Sequence, residues 1–138
     1  MSNHLAVLSR DQCVDLLCEA TLGRIATVID GYPVVFPVNC LVVRDDATVR
    51  IHLRTRIGNS IDQPFEKACF QIDGADSNAG WSVLVRGRLR AVNPAVHYDS
   101  HPLVHAGRDQ WLEIVVSEIT GRRLVTEQEW SFDARGYA

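Results

Sequence analysis

Apolar residues recur along this chain in short alternating runs, with one exception near the N-terminus. There Cys13, Leu16, Leu17 and Ala20 fall at i, i+3, i+4 and i+7, the spacing of one helix face. Ser9 stands ahead of this stripe with Gln12 three residues on, a capping-box pair, and Gly23 offers a stop. The spacing predicts an amphipathic helix over Ser9 to Leu22 lying against a sheet. Beyond it the period changes to two. Arg24 to Ile29 and Tyr32 to Val43 flank Asp30-Gly31, a two-residue hairpin signal. The second of these strands carries Pro33 and Pro37. Proline donates no ladder hydrogen bond, so an edge or a bulge is expected there.

Arg44-Asp45-Asp46-Ala47 reads as a turn, and Thr48 to Thr55 as the third strand. Ile57 to Phe65 reads as a loop and short helix, Ala68 to Ile72 as a short apolar strand, and Asp73 to Gly80 as a polar loop. Trp81 to Val92 alternates over its whole length, with Val83, Val85, Gly87, Leu89 and Ala91 on one face and Ser82, Leu84, Arg86, Arg88 and Arg90 on the other. Asn93-Pro94 can start a helix. Trp111 to Val116 is a further strand, and Ile119 to Val125 is a closing strand or its lead-in. Residues 126–138 form a C-terminal tail, polar but carrying Trp130, Phe132 and Tyr137. About six strands with short turns and no β-α alternation predict a mainly β domain, an antiparallel barrel or sandwich with a few peripheral helices. Periodicity does not choose between barrel types.

A chain of 138 residues with 46% apolar composition fits one globular domain, residues 1–138. The net charge of -3 and the pI of about 5.9 lack the basic character of a general nucleic-acid binder. No stretch approaches the ~20 apolar residues of a membrane span. The N-terminus lacks the basic and apolar regions of a secretory signal, so a cytoplasmic protein is expected. Cys13, Cys18, Cys40 and Cys69 show no C-x-x-C spacing and read as reduced thiols, mostly in apolar surroundings.

Three groups of residues could carry chemistry. The segment Arg54-Thr55-Arg56-Ile57-Gly58-Asn59-Ser60 gathers guanidinium, hydroxyl and amide donors, the set that holds a phosphate, and a helix starting near Ser60 would add its dipole. The bland alternative is a solvated turn. Trp81, after a Gly-containing loop, is either core or an aromatic wall for a planar ring. Arg86, Arg88 and Arg90 are either a solvated outer face or part of a basic groove. His97, His101 and His105 are four apart, but Pro102 disfavours the helix that would stack them into a metal site, and no metal is expected. No Ser-His-Asp order, P-loop or dinucleotide fingerprint is present, and no catalytic residue can be assigned.

In order and spacing, several segments resemble the flavin-binding split-barrel family of pyridoxamine 5′-phosphate-oxidase-like proteins. They are Leu22-Gly23-Arg24-Ile25-Ala26-Thr27, Tyr32-Pro33 through Pro37-Val38-Asn39, the Gly58 loop, Gly80-Trp81-Ser82-Val83 with Arg86-Gly87, and Ile119-Thr120-Gly121-Arg122. The resemblance spans roughly Ser9 to Leu124. It implies a six-stranded antiparallel Greek-key barrel that forms a homodimer, with FMN or a deazaflavin coenzyme in a groove between protomers. Carried over, Pro37, Val38 and Asn39 would line the flavin ring through backbone groups. His52, Arg54 and Thr55 would face the ribityl-phosphate arm, and Asn59 and Ser60 would finish the phosphate cradle. Trp81 and Ser82 would come from across the interface or flank the ring. Many members place a Lys shortly after the loop glycine; here Asn59-Ser60 stand there and the next Lys is Lys67. One charge-assisted bond, worth about 1.5–3 kcal/mol, is missing unless Arg54 or Arg56 replaces it. The implied activity is FMN-dependent hydride transfer to or from an unidentified small molecule. A deazaflavin-dependent reductase and a non-enzymatic flavin- or haem-binding module are the alternatives. Oxidation of pyridoxamine phosphate itself is not expected, because the chain is short and its sequence reveals no second phosphate pocket.

Overall fold

The computed structural model describes residues 3–55, 66–75, 79–92 and 110–126. The expected short helix before Phe65, Asn59 and Ser60, the helix start at Asn93, the three spaced histidines and the tail from Glu127 lie outside the described residues. The elements in order are β1 (Asn3–Val7), α1 (Arg10–Glu19), β2 (Leu22–Ile29), β3 (Tyr32–Asp45), β4 (Thr48–Thr55), β5 (Glu66–Ala75), β6 (Ala79–Ala91) and β7 (Gln110–Thr126).

The helix forms where the stripe and cap call for it, but it is shorter than expected. Ser9 Oγ accepts from the Gln12 amide at 3.1 Å and the Ser9 amide donates to Gln12 Oε1 at 2.8 Å, so the capping box closes. Ala20 is already extended and ends the helix. Gly23 is not its stop. It lies within β2, where a Cβ would sit 2.4 Å from the Phe70 ring; its role is to let β2 pass close over that ring. Asp30 and Gly31 both take positive φ, 52° and 77°, the turn that the Asp-Gly pair predicts.

β2, β3 and β4 form a meander. The chain then crosses so that β5 pairs with β2, β6 with β5, and β7 with both β6 and β4. These six strands close a ring in which every pairing is antiparallel, the barrel that the resemblance implies. β1, which no local pattern predicts, pairs with Arg122–Thr126 of β7 outside that ring. The two strands expected from Trp111 onward are one strand of 17 residues. Its register slips between Arg86 and Gly87 of β6, leaving Ser117 as the extra residue of a bulge. At this place β7 crosses so near that a Cβ on Gly87 would lie 2.1 Å from the Val115 carbonyl oxygen. The polar loop expected between Asp73 and Gly80 is shorter too, because β5 runs to Ala75 and β6 begins at Ala79. Pro33 and Pro37 pair with β2, while β3 meets β4 only from Asn39 onward. Among the described residues that half of β3 is an edge, in keeping with its prolines, and its pairing with β2 shows no bulge.

Alternation sorts each strand into an inner and an outer side. Ile25, Val38, Cys40, Ile51, Leu53, Phe70, Ile72, Val83, Val85, Leu89, Leu112 and Ile114 fill the interior, and α1 adds Cys13 and Leu17. Each large side chain buried this fully contributes about 1.5–3 kcal/mol. Of the cysteines, Cys13 and Cys40 are buried, Cys69 is half-buried and Cys18 is exposed. The outer side of β2 and β3 leaves Leu22, Val28 and Val35 exposed, with Tyr32 beside them at 74%.

Candidate functional site

Alternation and register decide which candidates meet. Asn39 pairs with Arg54, and Arg54 pairs on its other side with Trp111, so these three make a row across β3, β4 and β7. Pro37 and Asn39 are exposed beside it, and Val38 turns its side chain into the core, which leaves only its backbone for a ligand. Thr55 ends β4. His52 is on the same side of β4 as Arg54 but is fully buried, its Nε2 3.4 Å from Glu113 Oε1.

Glu113 is the least expected member of this face. It is only 5% exposed, yet Arg50 Nη1 lies 3.3 Å from Oε1 and the Arg90 guanidinium grips Oε2. Burial alone would raise its pKa. The hydrogen bond and charge of Arg90, with His52 beside it, outweigh that and hold the carboxyl below its ordinary value. The run of three arginines on β6 is therefore not uniform. Arg86 meets Glu118 at 3.7 Å at an exposed position, while Arg90 serves a buried acid.

Trp81 and Ser82 stand elsewhere. They line a cleft of about 600 Å³ with Leu5, Asp73, Gly74 and Arg122, a size typical of small-molecule pockets. Trp81 is half-buried, packs against the core and also lines this cleft. Gly74 permits this. A Cβ there would meet the indole at 2.6 Å. Arg24 bonds to Gln71 at 2.8 Å and Asp73 at 3.1 Å, tying β2 to this end of β5.

The two groups lie far apart within one chain. The Arg54–Trp111 pair adjoins the Leu112–Ala91 end of the β6–β7 ladder, whereas Trp81 pairs with Arg123 at the other. Ala91 is ten positions along β6 from Trp81, about 33 Å of extended strand. One end offers exposed backbone beside Asn39 and Arg54; the other offers an aromatic ring, a hydroxyl and the Arg122 guanidinium. Together they have the chemistry to hold a planar, anionic molecule. The sequence does not mark Trp111, Glu113 and Arg122 as site residues, because each looks like an ordinary strand residue until its cross-strand neighbours are known. Among the described residues, no cluster of His, Cys, Asp and Glu could hold a metal ion, and no helix is long and apolar enough to cross a membrane.

Comparison with known proteins agrees with this architecture. An FAD binding protein from Mycobacterium smegmatis is 31% identical, with a TM-score of 0.66, over 87% of this chain and 98% of its own. An FAD-binding protein from Mesorhizobium loti is 20% identical, with a TM-score of 0.69, over 91% and 100%. An FAD and haem binding protein from M. smegmatis is 15% identical, with a TM-score of 0.67, over 96% and 78%. At the last two identities the likeness speaks for the fold alone. A comparison with curated protein sequences finds no match. The family model described as pyridoxamine 5′-phosphate oxidase matches residues 9–123, and the chain belongs to that family.

Proposed function

We propose that this chain binds a flavin nucleotide between two copies of itself and serves as a flavin-dependent oxidoreductase. The observation that carries this reading is the division of the candidate residues between opposite ends of the β6–β7 ladder. Among the described residues neither half has both an exposed shelf and an accessible aromatic wall, since Trp111 beside Arg54 is buried, and a second copy turned about a twofold axis would supply each with the other. Leu22, which pairs with Asn39, and Val35, two residues before Pro37, are exposed apolar side chains beside this shelf and support a covered face. The FAD binding relative at 31% identity supports a flavin. FAD is its named ligand; FMN, which the split-barrel resemblance implies, shares the ring and first phosphate.

In this arrangement Pro37–Asn39 present backbone to the ring, Arg54 and Thr55 hold the phosphate, and the partner's Trp81 covers a ring face beside the partner's Ser82 and the partner's Arg122. A bound flavin supplies the hydride chemistry; the chain orients it and fixes its charge. The deazaflavin alternative depended on a continuous basic groove, and Arg86 and Arg90 are instead paired with Glu118 and Glu113. The haem alternative lacks an exposed ligand in His52, which is fully buried.

The test is to purify the protein, record its visible spectrum and identify any released coenzyme by chromatography against FMN, FAD and a deazaflavin standard. Apo protein titrated with FMN and FAD should bind at least one, and Arg54→Ala should weaken that binding about tenfold or more. A colourless protein that binds neither, or a stable monomer by light scattering, overturns the reading.

A further inference from the structure

The ladder between β4 and β7 runs from Thr55–Gln110 to Ile51–Ile114 and stops. Beyond that point the strands part, and Thr48–Arg50 and Val115–Ser117 face each other across a cleft of about 370 Å³. Arg10, from the first turn of α1, lines it together with Arg50, Arg90 and Glu113. Among the described residues that line it, three guanidiniums against one carboxylate leave two positive charges in excess. Glu113 does not neutralise the cleft so much as fix it, because it takes Arg50 on one oxygen and Arg90 on the other. The two guanidiniums are thereby held apart and set in orientation, at little further entropic cost when a ligand arrives. Both remain part-exposed, at 36% and 49%, so each keeps donors for another acceptor.

We propose that this opening is an anion site that takes the phosphoryl group of a small molecule. It is distinct from the Arg54 position, which is four residues further along β4, about 13 Å away. Guanidinium forks match phosphate oxygens in pairs, and two fixed arginines with a third on a separate element suit a tetrahedral dianion better than a single carboxylate. The proposal stands whether or not a flavin occupies the Arg54 end.

The experiment is calorimetric titration of the full chain with inorganic phosphate, for the natural protein and for Arg10→Ala, Arg50→Gln, Arg54→Ala and Arg86→Ala. Arg10→Ala touches no partner of Glu113, so it isolates the site from any change in folding; circular dichroism checks each variant. Arg10→Ala and Arg50→Gln should each weaken binding about tenfold, the loss of one charge-assisted contact. Arg86→Ala, at an exposed pair with Glu118, should leave it unchanged. The proposal is overturned by absence of binding at roughly 10 mM phosphate, or by affinity that survives in Arg10→Ala and Arg50→Gln. Loss confined to Arg54→Ala equally overturns it, and places phosphate in the flavin's seat instead.

Discussion

Replacing Glu113 by Gln keeps the volume and one carbonyl acceptor but removes the charge that Arg50, Arg90 and His52 face. A hydrogen bond to a charged group contributes about 1.5–3 kcal/mol, and breaking a fully buried ion pair costs about 3–5 kcal/mol. Here the two arginines are 36% and 49% exposed, so water recovers part of the loss, and the expected cost is about 2 kcal/mol. For a domain of this size that is a fall in Tm of roughly 6–8 °C. The pH dependence follows from the sign of the shift. The folded carboxyl has its pKa held below the ordinary 4.5, so its contribution is complete above about pH 4.5. It is lost as pH falls through the lower folded value. Thermal melts of both proteins between pH 7.5 and pH 3 should therefore show a wide gap at neutral pH that narrows in acid. A gap that does not change with pH, or no gap at pH 7.5, would refute the argument that an ionised Glu113 organises this face.

Gly87→Ala would drive a methyl to 2.1 Å from the Val115 carbonyl; backbone cannot yield as a side-chain tip can, and a loss of about 2–3 kcal/mol should appear as a lower urea midpoint. Phe70→Ala removes the largest fully buried side chain among the described residues and should cost about 3–5 kcal/mol, against about 1 kcal/mol for Ile25→Val, again by urea titration. Burial raises the Cys40 thiol to about 12 and also lifts that of Cys13. At pH 8 a thiol-labelling reagent should modify exposed Cys18 promptly, and Cys13 and Cys40 only when the protein unfolds. Prompt labelling of all four cysteines under native conditions would contradict the assigned burial.

The parts of the fold legible in sequence are those whose chemistry is local. The Ser9–Gln12 cap and the Asp30–Gly31 turn carry their partners within three residues, and the structure has both. The alternation of β6 predicts its buried side from Val83 to Leu89, which is correct, although Ala91 is exposed. What failed depends on distant chain. Gly23 resembles a helix stop, yet its neighbour is Phe70 on β5. Ser117-Glu118 interrupts an apolar run and splits β7 on paper, whereas in space it is a bulge that lets one strand continue. β1 gains its place only from β7, more than a hundred residues later. The candidate site divides the same way. Pro37 to Asn39 and Arg54 do adjoin one another, because β3 and β4 are sequence neighbours. Arg10, Arg50, Arg90 and Glu113 come from four separate elements, and nothing along the sequence announces that they converge.

The length of β6 that parts Trp81 from the Arg54 end has a genetic consequence under the proposed paired arrangement. A chain bearing Arg54→Ala and a chain bearing Trp81→Ala would each bind the coenzyme weakly when paired with its own kind. Co-expressed, they would assemble mixed pairs in which one seat inherits both lesions and the other inherits none. Such pairs would regain half of the coenzyme complement, an interallelic rescue that no single-chain seat could produce.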